Sequence, residues 1–171
     1  MGLNPQVIGT TMPNGQAGSY ARQPDMIVNT KPLGGTATVP FGLAVVYDAN
    51  KNVVLPTSTN TAAQFVGVVA REIKTSLNYL TQGVGEYAPK DPVPVFMRGA
   101  INVKCQNGTP AVGGAVYVRV AANDSYPNAV IGGFEATADS TNSVKLTNAQ
   151  WAGAADINGI AELRLLTMLN A

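Results

Sequence analysis

Between residues 92 and 120 the chain reads PVPVFMRGAINVKCQNGTPAVGGAVYVRV, and its side chains alternate. Ile101, Val103 and Cys105 fall at period two with Asn102, Lys104 and Gln106 between them, which sends one set to a core face and the other to a wet face. Alternation resumes at Val116, Val118 and Val120, with Tyr117 and Arg119 directed to the opposite face. Asn107-Gly108 follows the first run and takes positive φ at modest cost, so the two runs read as an antiparallel hairpin or a longer-looped relative of one.

The same texture extends along the chain from Val39. FGLAVVYD and NVVLP flank the turn DANKN; QFVGVVAREI, NAVIGGFEAT and NSVKLTNAQW read as further strands. Asn158-Gly159 turns into a last strand with Ile160, Glu162, Arg164 and Leu166 on one face and Ala161, Leu163 and Leu165 on the other. Thr147 would cap a short helix to Ala152, but its surroundings favour strand. Eight or more short strands with Gly, Asn and Pro turns, and no ten-residue amphipathic helix, predict an all-β fold, a compact antiparallel barrel or sandwich.

At 171 residues the chain buries roughly two-thirds of its unfolded surface as one domain, without staples. Residues 1–35 stand apart: Pro5, Pro13, Pro24 and Pro32 interrupt any period, which predicts an extended N-terminal arm ahead of a β domain at 36–171. Tyr20, Met26, Ile27 and Val28 give that arm apolar anchors that a pure spacer would not need. The loop from Lys74 to Pro92 is long for a compact domain, and its Tyr79 and Tyr87 suit a contact surface. Tyr20, Met26, Ile27, Tyr79 and Tyr87 are therefore the candidate partner-interface residues, because aromatics and Met are enriched where partners pack. Trp151 and Cys105 are assigned to the core, and Arg98 and Arg164 to carbonyls at strand ends.

Charge excludes some functions. Only 12% of residues are charged, and 11 Lys and Arg scatter among 10 acids for a net charge of +1, so no field for nucleic acid exists. Thr, Asn, Ser and Gln dress the surface instead, which suits one that meets other protein. The longest apolar run, GLAVVY, is far short of the roughly 20 residues that cross a bilayer, and no membrane partner is expected. The first residues have neither the basic start nor the apolar run of a signal peptide, so the chain is expected to be made in the cytosol.

Reactive chemistry is scarce. The chain contains no histidine, which removes the common general base, the Ser-His and Cys-His pairs and the commonest metal ligand. No lysine has a serine three residues before it. Carboxylate pairs such as Glu86 with Asp91 or Asp156 with Glu162 could serve a glycosidase, but nothing in the spacing brings either pair around a bond. Asp48, Asn50 and Asn52 match the first ligands of a calcium loop; Val53 and Thr59 then fail the pattern, leaving a polar hairpin tip. Neither an enzyme nor a cofactor nor a metal site is expected.

The order of landmarks is informative. A Gly- and Pro-rich arm, VPFGLAVVYD, FVGVVARE, a Tyr-Gly-Pro loop, VPVFMRGAINVKC, VGGAVYVRV and AQWAGAADINGIAELRL together resemble the capsid cement, or decoration, proteins of tailed bacteriophages. Gly42, Gly67, Arg98, Gly99, Val103, Gly113, Val116, Val118, Ala161 and Arg164 carry the likeness. One departure is Gly113-Gly114, where the resemblance leads one to expect an acid after the glycine. The resemblance implies a β domain with an arm, a homo-oligomer (trimer or dimer) bound to the major capsid protein at subunit junctions on the outer surface of the virion's head. The competing readings are a tail or head-completion module, expected at low copy number, and a carbohydrate-binding β-sandwich, which wants a platform of exposed aromatics where this chain has a single Trp.

Overall fold

The computed structural model describes residues 12–72 and 85–170. Within them eleven strands form: β1 (Ile27–Pro32), β2 (Val39–Pro40), β3 (Ala44–Tyr47), β4 (Val53–Val54), β5 (Phe65–Val69), β6 (Glu86–Tyr87), β7 (Pro92–Lys104), β8 (Ala115–Arg119), β9 (Phe134–Glu135), β10 (Ser143–Trp151) and β11 (Ile160–Leu165). Among the described residues helix is confined to single 3-10 turns at Ala62–Gln64 and Ser140–Asn142. One antiparallel sheet curls into a half-barrel in the order β4-β3-β5-β7-β11-β10-β8-β9, β1 adds to β7, and β2 pairs with β6 alone. The expected all-β architecture is thus present.

The thirteen-residue β7 organises the sheet. Its first half lies beside both β1 and β5, and Ile101, Ala100 and Gly99 in its second half pair with Leu163, Arg164 and Leu165 of β11. Val93 through Met97 are all buried because two apolar clusters flank them. Phe96 points into the larger cluster with Ile101, Val103, Val118, Trp151 and Leu163, while Val95 and Met97 point into the smaller one with Leu33, Val45 and Val66. A strand covered on both faces reads as a continuous apolar run, as this segment does.

The sheet corrects three sequence-based expectations. β7 and β8 do not form a hairpin: β11 and β10 lie between them, because β11 offers six residue pairs to β7 and β8 finds its partners on β10. Asn102, assigned to the wet face, is buried because the arm lies over it and its side-chain amide donates to the Asn14 carbonyl at 2.6 Å. Arg119, likewise assigned outward, is fully buried in an ion pair with Glu135. Other readings agree with the fold. The DANKN tip is closed by Asp48, which accepts from the Asn50 and Asn52 amides at 2.8 and 2.9 Å, and 143–151 is strand throughout. Trp151 is in the core, whereas Cys105 is only half-buried at its edge.

Residues 27–33 deserve separate mention, since they fell within the expected arm. Ile27–Pro32 is a strand of the main sheet, and Leu33 is buried in the smaller cluster. What remains outside the sheet's ladder is residues 12–26, a strap laid across its surface.

Candidate interface

The strap is fastened by polar contacts as much as by apolar ones. The backbone amide of Asn14 donates to Asp156 at 2.8 Å and its side-chain amide to the Ile160 carbonyl at 2.7 Å. Gly18 donates to the Asn102 carbonyl at 2.7 Å and accepts from the Arg71 amide at 2.8 Å. At φ +81 Gly18 passes so close to the body that a Cβ would meet Gly42 N and Val69 O at 2.9 Å, so a larger residue would lift the strap. Tyr20 then bridges to Ile101, stacks at a tilt on Phe96 with ring centroids 5.7 Å apart, and donates its hydroxyl to Glu72. Partial burial pushes the Tyr20 phenol pKa up, and the Glu72 hydrogen bond adds to the shift.

Of the five candidate residues, three are half-buried. Tyr20 and Met26 pack against the larger cluster from the strap, and Ile27 opens β1 opposite Arg98. Tyr87 is 2% exposed, edge-on to Phe41 at 5.1 Å, and donates to the Ala70 carbonyl, so its ring serves the smaller core of the chain. Burial pushes its pKa up to about 12. Tyr79 lies outside the described residues.

Between Tyr20 and Met26 the strap forms one wall of a groove of about 510 Å³, whose other wall is β7 and β11. Arg22, Arg98 and Arg164 line it, three of the chain's five arginines, delivered by three segments distant in sequence. Arg22 and Arg164 meet Glu162 through their Nε atoms at 2.9 and 3.2 Å, and Arg98 Nη2 stands 3.4 Å from Asp25. Arg98 and Arg164 therefore face carboxylates at the surface, not strand-end carbonyls, and their side chains are nearly half exposed. The sequence hides this cluster because no two of its arginines are neighbours; the visible signal is only that Arg22 precedes the apolar anchors at 26–28 and Arg98 precedes Gly99 within β7.

Further along the same sheet, at the Lys104 end of β7, apolar side chains stand in solvent. Ile157 is 96% exposed and Met12 89%, with Asp156 and Asn14 holding their segments together. Tyr126 and Val130 border a neighbouring groove of about 450 Å³ that Lys104 and Cys105 also line. Burial pushes the Cys105 thiol pKa up, which makes it a poorer nucleophile than an exposed cysteine.

The family model for structural cement protein (E217 gp24/Pam3 gp6) matches residues 4–166. The chain belongs to this family of phage cement proteins. Its role is accordingly structural, the stabilisation of a phage capsid. A solved chain from "The capsid of Myoviridae Phage XM1" shares the fold with a TM-score of 0.71 and 15% identity, over 98% of this chain and 99% of that one. Comparison with the curated proteins gave no match. The expected membership of the capsid cement family is thereby met, and an exposed strap with few reactive groups fits a protein whose work is adhesion.

Acid should loosen this cement. Partial burial alone would raise the Glu162 carboxyl, but Arg22 and Arg164 overcome it and hold it below its ordinary 4.5. Asp156 behaves alike: burial is outweighed by amides from Ile160, Asn14 and Asn158, which hold it below 3.8. Asp48 and Asp139 are also lowered, while burial raises Glu135 against the pull of Arg119. A carboxylate lowered by folding contributes stability that is complete above its unfolded pKa and lost as pH falls through the folded value; the raised Glu135 has the opposite sign. As the pH falls the lowered carboxylates take up protons and give up their contribution while Glu135 works the other way; with Arg22 and Arg164 held on Glu162, the urea midpoint is expected to be flat near neutrality and to fall below about pH 4.5. A midpoint that rises on acidification would contradict that balance.

Proposed function

We propose that the protein attaches to the outside of the assembled phage head at junctions between major capsid subunits, as a homo-oligomer, and acts without catalysis. The observation that carries this reading is the cement-family match across nearly the whole chain. The surface is consistent with it: a half-barrel with two embedded clusters supplies a stiff body, and the half-exposed Tyr20 and Met26 of the strap, with Ile27 at the start of β1, supply contact area. A binder that recognises only the assembled shell stabilises it by linkage, by about 2.7 kcal/mol per site when free protein is a hundredfold above its dissociation constant. Multiple attachment points per oligomer add avidity without new contacts.

The test is sedimentation. Purified protein should pellet with empty mature heads at a fixed, high stoichiometry and stay in solution with isolated capsid subunits. Binding to neither, or to the isolated subunits equally well, would contradict attachment at junctions. Truncation refines the result. A chain lacking residues 1–26 is expected to keep its circular dichroism and attach weakly, because the sheet from Ile27 onward is intact. A chain lacking 1–33 should not fold, since it loses the β1 ladder and Leu33. Full attachment by the shorter truncation would show that the strap is no part of the interface.

A further inference from the structure

We propose that the groove of Arg22, Arg98 and Arg164 receives a carboxylate-bearing segment of a capsid subunit, an Asp or Glu pairing with the outer guanidinium nitrogens while an apolar neighbour rests on Leu166. This rests on the reading that the strap face meets the shell.

Three observations carry it. The first is the concentration of charge: in a chain with 12% charged residues, three of five arginines line one groove, whereas Arg119 is buried and Arg71 lies over the Phe41 ring. The second is donor accounting. A guanidinium carries five N–H donors, and each of these three arginines meets its carboxylate through a single nitrogen, at exposed positions where such pairs contribute little to folding. Two acids against three arginines leave one net positive charge at the mouth, and planar guanidinium groups match a carboxylate geometrically. Leu166, 49% exposed at the groove's edge, adds an apolar seat.

The third observation is that a second copy has little free acid to offer. All ten acidic residues fall within the described segments, and nine are already engaged. Asp25 and Glu162 belong to the groove. Asp48 and Asp156 close turns. Glu72 holds Tyr20, Glu86 holds Thr38, and Asp91 accepts from Ala88. Glu135 and Asp139 hold Arg119. Asp124 alone is left among the described residues, a single acid on the loop after β8, which favours a different chain as the source of the complementary side chain. A nucleic-acid backbone fits less well, since phosphate tracking wants a basic stripe and here two carboxylates sit among the cations.

The experiment measures binding of the full chain to empty mature heads by sedimentation across a salt series. Arg98→Gln and Arg164→Gln should each weaken binding about tenfold, the usual size for a charge-assisted hydrogen bond, and the double variant should flatten the salt dependence. Arg98→Lys should recover only part of the loss, and Lys145→Gln, on the exposed side of β10, should bind as wild type. Circular dichroism checks that each variant is folded; the lysine variant decides should a glutamine variant prove unfolded. Wild-type protein that pellets while the double variant pellets equally well overturns the groove alone. Wild-type protein that fails to pellet overturns attachment itself. Altered self-association of the double variant, or wild-type binding to free DNA lost on substitution, would assign the groove to another occupant and overturn the proposal.

Discussion

Replacing Arg119 with alanine is expected to lower the unfolding free energy by about 3–5 kcal/mol, read as a shift of the urea midpoint at constant slope. Arg119 and Glu135 are both fully buried, joined by Nε and Nη2 at 2.6 Å, and Arg119 Nη1 reaches Asp139 at 2.9 Å. Tyr126 covers the guanidinium at 5.5 Å. Removing the cation strands Glu135, buried on β9 beside β8 with Asp139 close by, and it must take up a proton or draw in water. Glu135→Gln should cost less, because an amide keeps part of the hydrogen bonding. The double replacement Arg119→Met with Glu135→Leu is expected to recover most of the loss, since a buried pair is scarcely better than apolar residues of like volume. A single variant with an unchanged midpoint would show that water already reaches the pair.

Gly99→Ala is expected to cost about 2–5 kcal/mol and also to reduce head retention sharply. Gly99 has φ +112, a conformation that L residues rarely adopt, and its Cβ would fall inside the van der Waals envelope of the Asp25 carbonyl oxygen and lie 3.0 Å from Phe96 Cζ. The backbone of the strap would have to retreat, and Asp25 would leave Arg98. Loss of stability alone could follow from strain, so the informative quantity is head binding measured where the variant is still folded. Normal retention by a folded Gly99→Ala protein would separate the strap's path from attachment.

Much of the sheet was legible because period two survives wherever one face is wet. The tip at Asp48, the final strand after Asn158-Gly159 and the strand at 143–151 follow from local chemistry, and so does the assignment of Trp151 to the core. What local pattern could not supply is long-range order. Asn107-Gly108 signals a turn, but the strand that β7 prefers lies more than fifty residues on, and only the fold's closure decides between them. Arg119 shows a related failure: alternation sends it outward, and a buried acid sixteen residues away draws it in. An isolated Glu after Gly-Gly-Phe in an apolar segment was the available hint. The strap is harder still, since Ile27–Pro32 has three polar residues and a proline and becomes a strand only because β7 offers it an edge. The groove depends on both, which is why Arg98 and Arg164 read as separate structural residues and Arg22 draws no notice.

The central claim is that adhesion of this protein makes the head harder to break, and heat disruption of empty mature heads tests it most directly. With increasing protein, the disruption temperature should climb and then level off at the stoichiometry seen in the pellet. Heads carrying a full complement of the protein that come apart at the same temperature as bare heads would contradict the claim.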